Sequence, residues 1–299
     1  MKRYILLMRP QFGAVTVTAV LAGALAARFF EGVFDLGKFL WTLVGALLLH
    51  MANNVINDVN DYLTGNDPAN TRAIRPFSGG SGIILEGLVS VRAGRIFALV
   101  LAILGAAVGL YLNARTPGNL VLWIGVVGFF FVFAYNGLGV RLGYRGLSEL
   151  MIFLTWGPLM VSGAYVVQTG TWRPEVLWVA VPTGILTMLV LVINEFADRE
   201  ADAAVRRYTW AVVFGERTTL TLYLISALLA FLTIGVGVLS GHLPKTALLA
   251  WLALPLPLEA YRHGARTLGQ MPAFLKSVQF TILAQILTVG LLSLGLFLA

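Results

Sequence analysis

The stretch LWTLVGALLLHMANNVINDVNDYLTGND (residues 40–67) decides how the rest of the chain is read. Its first half is apolar. Its second half carries Asn54, Asn57, Asp58, Asp61 and Asp67. A second stretch, VPTGILTMLVLVINEFADREAD (181–202), repeats the arrangement and carries Asn194, Glu195, Asp198, Glu200 and Asp202. Carboxylates are costly at a membrane boundary unless something uses them. Facing Asp and Asn oxygens suit Mg²⁺, a hard cation that keeps substrate phosphates as co-ligands. Each segment leads into an Arg-bearing loop. The combination points to a membrane enzyme that binds a diphosphate.

Composition agrees with a membrane location. Charged residues make up only 12% of the chain, against about 25% in soluble domains. Nine apolar runs approach or reach the roughly 20 residues needed to cross a hydrocarbon core: 11–29, 39–57, 94–113, 119–136, 147–168, 175–196, 218–240, 244–260 and 277–298. The eighth is the weakest, because Pro255 and Pro257 lie inside it. Alternating, strand-like segments are absent, which argues against a β-barrel. The chain therefore reads as an all-α integral membrane protein. It forms one domain over 1–299, with inner loops 58–93 and 197–217 as a polar cap.

Charge orients the expected bundle. With the N-terminus inside, nine spans place sixteen Lys and Arg on the inner side and five on the outer. That bias is the positive-inside pattern. Both acidic segments fall on the inner side, so a multi-pass protein of the cell membrane is expected, with its N-terminus and site loops cytoplasmic. The net charge of +7 then follows from topology and anionic headgroups and requires no nucleic acid. Lys2, Arg3 and the following apolar run resemble a signal peptide, and Ala24-Leu25-Ala26 mimics a cleavage site. The segment reads instead as the first membrane helix. The chain has no Cys, which excludes disulfides, thiolate metal sites and Cys nucleophiles. His50, His242 and His263 are too scattered for a zinc site.

His50, Asn54, Asn57 and Asp61 are spaced by four, three and four, so they share one face of a helix. Asn194, Asp198 and Asp202, spaced by four, form a similar stripe. Solvated helix ends also collect Asp and Asn, but two matched segments aligned over several turns favour a shared site. Arg9, Arg72, Arg75, Arg141, Arg145, Arg206 and Arg207 stand near the segments or at helix mouths, and Arg matches phosphate oxygens with a bidentate fork. Membrane anchoring accounts for others, among them Arg92, Arg95 and Arg217. FSGGSG (77–82) offers backbone N–H groups to an anion, or is a plain flexible loop.

At these residues the chain resembles the UbiA superfamily of intramembrane prenyltransferases. The superfamily pattern on the second helix is N-D-x-x-D-x-x-x-D. Asn57, Asp58 and Asp61 match its opening, but its closing Asp falls on Gly65. The branch that prenylates 1,4-dihydroxy-2-naphthoate shows N-x-x-x-D-x-x-x-G-x-D, which Asn57, Asp61, Gly65 and Asp67 fit. Asp198 and Asp202 fit the D-x-x-x-D of the sixth helix. RPFSGGSG (75–82), YRGLSEL (144–150) and YVVQTG (165–170) also look like that branch. Where relatives read G-K-R-T after the second segment, this chain has Arg206-Arg207-Tyr208-Thr209, with Arg207 at the Lys position.

The resemblance implies nine helices around a central cavity open to the cytoplasmic side. It implies Mg²⁺ held by Asn57, Asp61, Asp67, Asp198 and Asp202, with Asp58 and Asn194 in support. Arg9, Arg75, Arg141, Arg207 and Asn194 would meet a prenyl diphosphate. Asp61, Asp198 and Tyr135 would be catalytic, Tyr135 being equally readable as an interfacial belt aromatic. The implied reaction transfers a polyprenyl chain to a small aromatic acceptor, 1,4-dihydroxy-2-naphthoate before 4-hydroxybenzoate, homogentisate, a porphyrin or an archaeal glycerol phosphate lipid. No obligate protein partner is evident. A secondary transporter is the competing class, yet transporters place ionisable groups near the midplane beside broken helices. Here they gather at helix ends on one side.

Overall fold

A computed structural model describes residues 1–75, 77–136 and 140–299, and every element among them is a helix or a turn. A short helix, Lys2–Leu7, precedes α1 (Gly13–Glu31), α2 (Leu36–Thr64), α3 (Val91–Ala114) and α4 (Leu120–Asn136). There follow α5 (Ser148–Thr169), α6 (Leu177–Ala204), α7 (Glu216–Leu239), α8 (Pro255–Thr267) and α9 (Met271–Phe297). Among the described residues seven segments, those of α1, α2, α3, α5, α6, α7 and α9, are long and apolar enough to cross a membrane. The fourth apolar run gives a shorter helix. The eighth divides into a tight 3₁₀ stretch, Lys245–Ala253, and α8. Pro255 and Pro257 have no N–H to extend the earlier turn, and Pro255 is tolerated because it opens α8.

Large apolar side chains face outward around the bundle: Trp123, Ile103 and Leu252 are 63%, 58% and 71% exposed. Contiguous apolar surface of this kind is rare on a soluble monomer and matches hydrocarbon surroundings. The molecule is a multi-pass membrane protein.

The Asp35 side chain starts α2 by accepting from the Lys38 N–H at 2.9 Å. The helix ends at Gly65, whose φ of 82° is open to glycine at little cost. It therefore runs past the apolar stretch and carries Asp58 and Asp61 in its last turns, and α6 does the same for Asp198 and Asp202. Both stretches expected as cap loops begin inside helices.

The bundle is held by close backbone approaches. α6 packs against α5, α7 and α9, α1 against α5 and α9, and α2 against α3. Within α5 a π-helical turn, Thr155–Leu159, contains Pro158, which cannot donate to the preceding turn. There Gly157 lies against Gly184 of α6. A Cβ on Gly157 would sit 2.6 Å from the Ala180 carbonyl oxygen and 2.7 Å from Gly184 Cα. Small residues at such crossings let membrane helices meet. Gly157→Ala is expected to cost about 1–3 kcal/mol, read as a lower thermal unfolding midpoint in detergent. An unchanged midpoint overturns this account of the α5–α6 contact. Near the C-terminal end of α6, Phe196, Tyr223 and Phe274 form a buried cluster that fixes the position of Asp198 and Asp202.

Candidate functional site

The N-terminal end of α1 and the C-terminal ends of α2 and α6 surround an open cavity of about 150 Å³. Asn57 and Asp61 line it from α2, Asp67 from the turn after α2, and Asn194 and Asp198 from α6. Arg9, Arg207 and Tyr135 complete the polar lining, while Phe12, Trp156 and Leu191 supply an apolar part. The two acidic segments, more than 130 residues apart, meet at one site.

Asparagines carry the first segment across to the second. In the short helix Asn66–Ala69, the Asn66 amide donates to Asp202 at 2.8 Å. The Asn70 amide donates to Asp198 at 2.6 Å. Arg72 adds an ion pair with Glu200 at 2.6 Å.

Arg207 is the centre of the site. Its guanidinium lies 3.5 Å from Asp61 and 3.9 Å from Asp202, and so bridges the two segments. It donates to the Tyr135 hydroxyl at 2.9 Å and packs over the rings of Tyr135 and Tyr144 at 5.6 and 5.5 Å. Asp61 also accepts from Asn57 at 2.8 Å and from the Tyr144 hydroxyl at 3.3 Å. Burial, and next the Asp61 charge, push the Tyr144 phenol up to about 12, so it remains a donor at neutral pH. Arg9 adopts a left-handed backbone, φ 52°, at the turn into α1. It donates to the Phe77 carbonyl at 2.9 Å and lies 3.8 Å from Asp58.

The residues expected from sequence separate into three groups. Asn57, Asp61, Asp67, Asn194, Asp198, Arg9, Arg207 and Tyr135 line the cavity. Asp58 and Asp202 are buried behind that lining. Asp58 accepts from the Ser81 N–H at 2.8 Å and so holds the FSGGSG loop against α2. Its Gly79 and Gly80 reach the cavity wall. Arg75 and Arg141 are exposed and stand outside the lining. Arg75 donates to the Gly79 carbonyl at 3.4 Å, and Arg141 stacks 5.3 Å over Tyr144. Pro76, within RPFSGGSG, lies outside the described residues. Asn66, Asn70 and Tyr144 are site residues that the sequence reading passed over. The four-residue spacing of Asn66 and Asn70 was the available signal.

Hard oxygen ligands and unpartnered atoms test the fit to a divalent cation with a diphosphate. The Asn194 Oδ1, Arg9 Nε and Arg207 Nε atoms are buried without hydrogen-bond partners. Burial, then the charges of Asp61, Asp58 and Asp198, push the Asp67 carboxyl up to about 8. Crowded acids of this kind call for a positive charge. Among the described residues no three acidic or imidazole groups form a ready-made metal cluster. Mg²⁺ takes hard oxygen ligands and completes its shell from substrate phosphate and water. The donor set fits.

Trp156 and His50 line the apolar side of the cavity. His50 Nδ1 shares a 2.7 Å hydrogen bond with Thr16, Trp156 donates to the same hydroxyl at 3.1 Å, and the two rings meet edge-on at 5.0 Å. The same two residues line a second space of about 180 Å³, a nearly wholly apolar groove between α2, α3, α4 and α5.

The pattern of the UbiA prenyltransferase family matches residues 15–297. The 2-carboxy-1,4-naphthoquinone phytyltransferase of Synechocystis is 27% identical over 262 residues, covering 88% of this chain and 82% of that one. The 1,4-dihydroxy-2-naphthoate octaprenyltransferase of Bacillus subtilis is 28% identical over 258 residues, covering 86% and 80%. Mouse UbiA prenyltransferase domain-containing protein 1 is 30% identical over 262 residues, covering 87% and 75%. In structure, a UbiA homolog from Aeropyrum pernix superposes with a TM-score of 0.69 at 18% identity, over 96% of this chain and 98% of that one. A UbiA homolog from Archaeoglobus fulgidus bound to GPP and Mg²⁺ gives 0.67 at 13%, over 97% and 99%.

Proposed function

The chain belongs to the UbiA prenyltransferase family, and from that premise we propose that it moves a polyprenyl group from its diphosphate to 1,4-dihydroxy-2-naphthoate. One observation carries the reading: Arg207 joins Asp61 of the first acidic segment to Asp202 of the second beside a cavity walled by aromatic rings. The naphthoate acceptor rests on the Asn57, Asp61, Gly65 and Asp67 spacing and on the naphthoate-derived names of two relatives. In this proposal α4 and the 245–267 region complete nine crossings, and the site faces the cytoplasm.

Mg²⁺ bound among Asn57, Asp61, Asp67, Asp198 and the diphosphate would neutralise the leaving group as the C–O bond breaks. Arg9 and Arg207 grip the same oxygens, through N–H groups that include their unpartnered Nε atoms. Asp58 and Asp202 stand behind them and fix Arg9, the FSGGSG loop and Arg207. Phe12, Trp156 and Leu191 keep water from the allylic carbon, and the Tyr135 and Trp156 faces stabilise its positive charge. The ring carbon bearing the carboxylate forms the new C–C bond, CO₂ leaves that carbon, and diphosphate is released. The tail fits the apolar groove beyond His50 and Trp156.

The test is turnover in liposomes with Mg²⁺ and geranylgeranyl diphosphate. Parallel reactions carry 1,4-dihydroxy-2-naphthoate, 4-hydroxybenzoate or geranylgeranylglyceryl phosphate. A prenylated naphthoate is expected. A product with another acceptor alone overturns the acceptor, and substrate flux without a covalent product overturns the reaction.

Asp67 adds a pH prediction. A carboxyl raised to about 8 from an ordinary value near 4 binds its proton more tightly when folded. Its contribution to stability is therefore lost as pH rises from about 4 through 8. A cation that takes the proton's place restores it. Mg²⁺ should raise the thermal midpoint more at pH 8 than at pH 6. Equal shifts at the two values remove Asp67 from the metal site.

A further inference from the structure

We infer that Gly128 and Gly125 of α4 set which prenyl tails the enzyme accepts, by leaving open the apolar groove next to the diphosphate site. The inference rests on the prenyl transfer proposed above and goes beyond it by assigning chain-length selection to named positions. The groove adjoins the cavity, because His50 and Trp156 line both. The Trp156 indole and His50 Nδ1 both pair with the Thr16 hydroxyl, at 3.1 and 2.7 Å, which ties up those polar atoms where the two spaces meet.

The direction of the groove follows the helices. On α4 it is lined from Val132 outward through Phe129, Gly128 and Gly125 to Val121. At 1.5 Å per residue that is roughly 16 Å, starting one turn beyond Tyr135 at the reacting end. Gly128 lies about 10 Å outward of Tyr135, and Gly125 about 5 Å further. A tail leaving the diphosphate passes Gly128 first and Gly125 second.

Neither glycine is needed for packing. A Cβ at Gly128 or Gly125 meets no atom within 4 Å, unlike Gly105, which lines the same groove but would press on Leu49 at 2.7 Å. Both also sit inside a helix, where glycine is unfavourable by about 1 kcal/mol against alanine. The absent side chains leave free volume that only something outside the helix contacts uses. A leucine at either position would extend into the groove without disturbing the bundle.

The experiment compares Gly128→Leu, Gly125→Leu and Gly290→Leu with the unaltered enzyme. Gly290, on α9, has equally open surroundings and lines no part of the groove. Each protein is offered geranyl, farnesyl and geranylgeranyl diphosphate, and kcat/KM and thermal protection are both read. Gly128→Leu should keep geranyl diphosphate within about twofold and lose geranylgeranyl diphosphate by about tenfold or more. Gly125→Leu should act only on the longer tails, and Gly290→Leu should change nothing. A loss equal for all tails, or no change with either groove variant, overturns the assignment and leaves membrane lipid as the groove's occupant. If no diphosphate protects or reacts with the unaltered enzyme, the proposed function falls, and this inference with it. Protection that ignores tail length in every variant removes this inference alone.

Discussion

Asp61→Asn and Asp198→Asn should each lower turnover by about a thousandfold while the protein stays folded. Asparagine matches aspartate in size and removes only the charge. At position 61 the neighbours tolerate it: Arg207 keeps Asp202 and the Tyr135 hydroxyl, and Tyr144 keeps Thr64 at 3.0 Å. At position 198 the amide oxygen can still accept from Asn70. What disappears is an anionic oxygen facing the cavity from each segment, and with it the counter-charge for a divalent cation. Turnover with the proposed substrates and a thermal midpoint in the same detergent separate the two effects. Activity within about tenfold of the unaltered enzyme for either variant sinks the metal-site assignment.

Arg207→Ala should be the most damaging single change to the fold and the reaction together. Arg207 is 8% exposed and touches Asp61, Asp202, Tyr135 and Tyr144. Its removal strands two buried carboxylates, a loss of about 3–5 kcal/mol, or a midpoint lower by on the order of 10 °C. Arg207→Lys restores the charge without the planar fork. It should recover most of the midpoint, yet lower turnover by about a hundredfold or more. If lysine restores turnover as well, Arg207 serves only as a positive charge. A midpoint unchanged in Arg207→Ala would mean that the two segments are held together by other contacts.

The sequence makes the seven long apolar helices legible because lipid requires a continuous run of apolar residues. It makes Asp61 and Asp198 legible because a stripe spaced by three and four survives in any helix. Other features follow from the folded chain alone. The ends of α2 and α6 were hidden because the apolar runs stop near residues 57 and 196, while the helices continue to Thr64 and Ala204. The different duties of Asp58 and Asp202, which brace Arg9, the FSGGSG loop and Arg207, depend on which side of a helix faces the cavity. Arg75 and Arg141 have the right chemistry in the right loops, but their guanidinium groups end outside the lining. The α5 turn at Pro158 and the Gly157–Gly184 approach were likewise invisible, since a glycine in an apolar run says nothing about which helix it will meet.

The bridges from Asn66, Asn70 and Arg207 have a consequence for biogenesis. The ribosome makes the chain from the N-terminus, and early segments enter the membrane before later ones exist. Residues 57–70 thus arrive about 130 positions ahead of the residues that satisfy them. Until Arg207 has been synthesised, Asp61 stands near the end of α2 without its cation, and Asn66 and Asn70 have no carboxylates to bind. An unfinished bundle of this kind exposes charge where lipid penalises it. Closing the pocket is therefore also the step that ends the nascent chain's vulnerability.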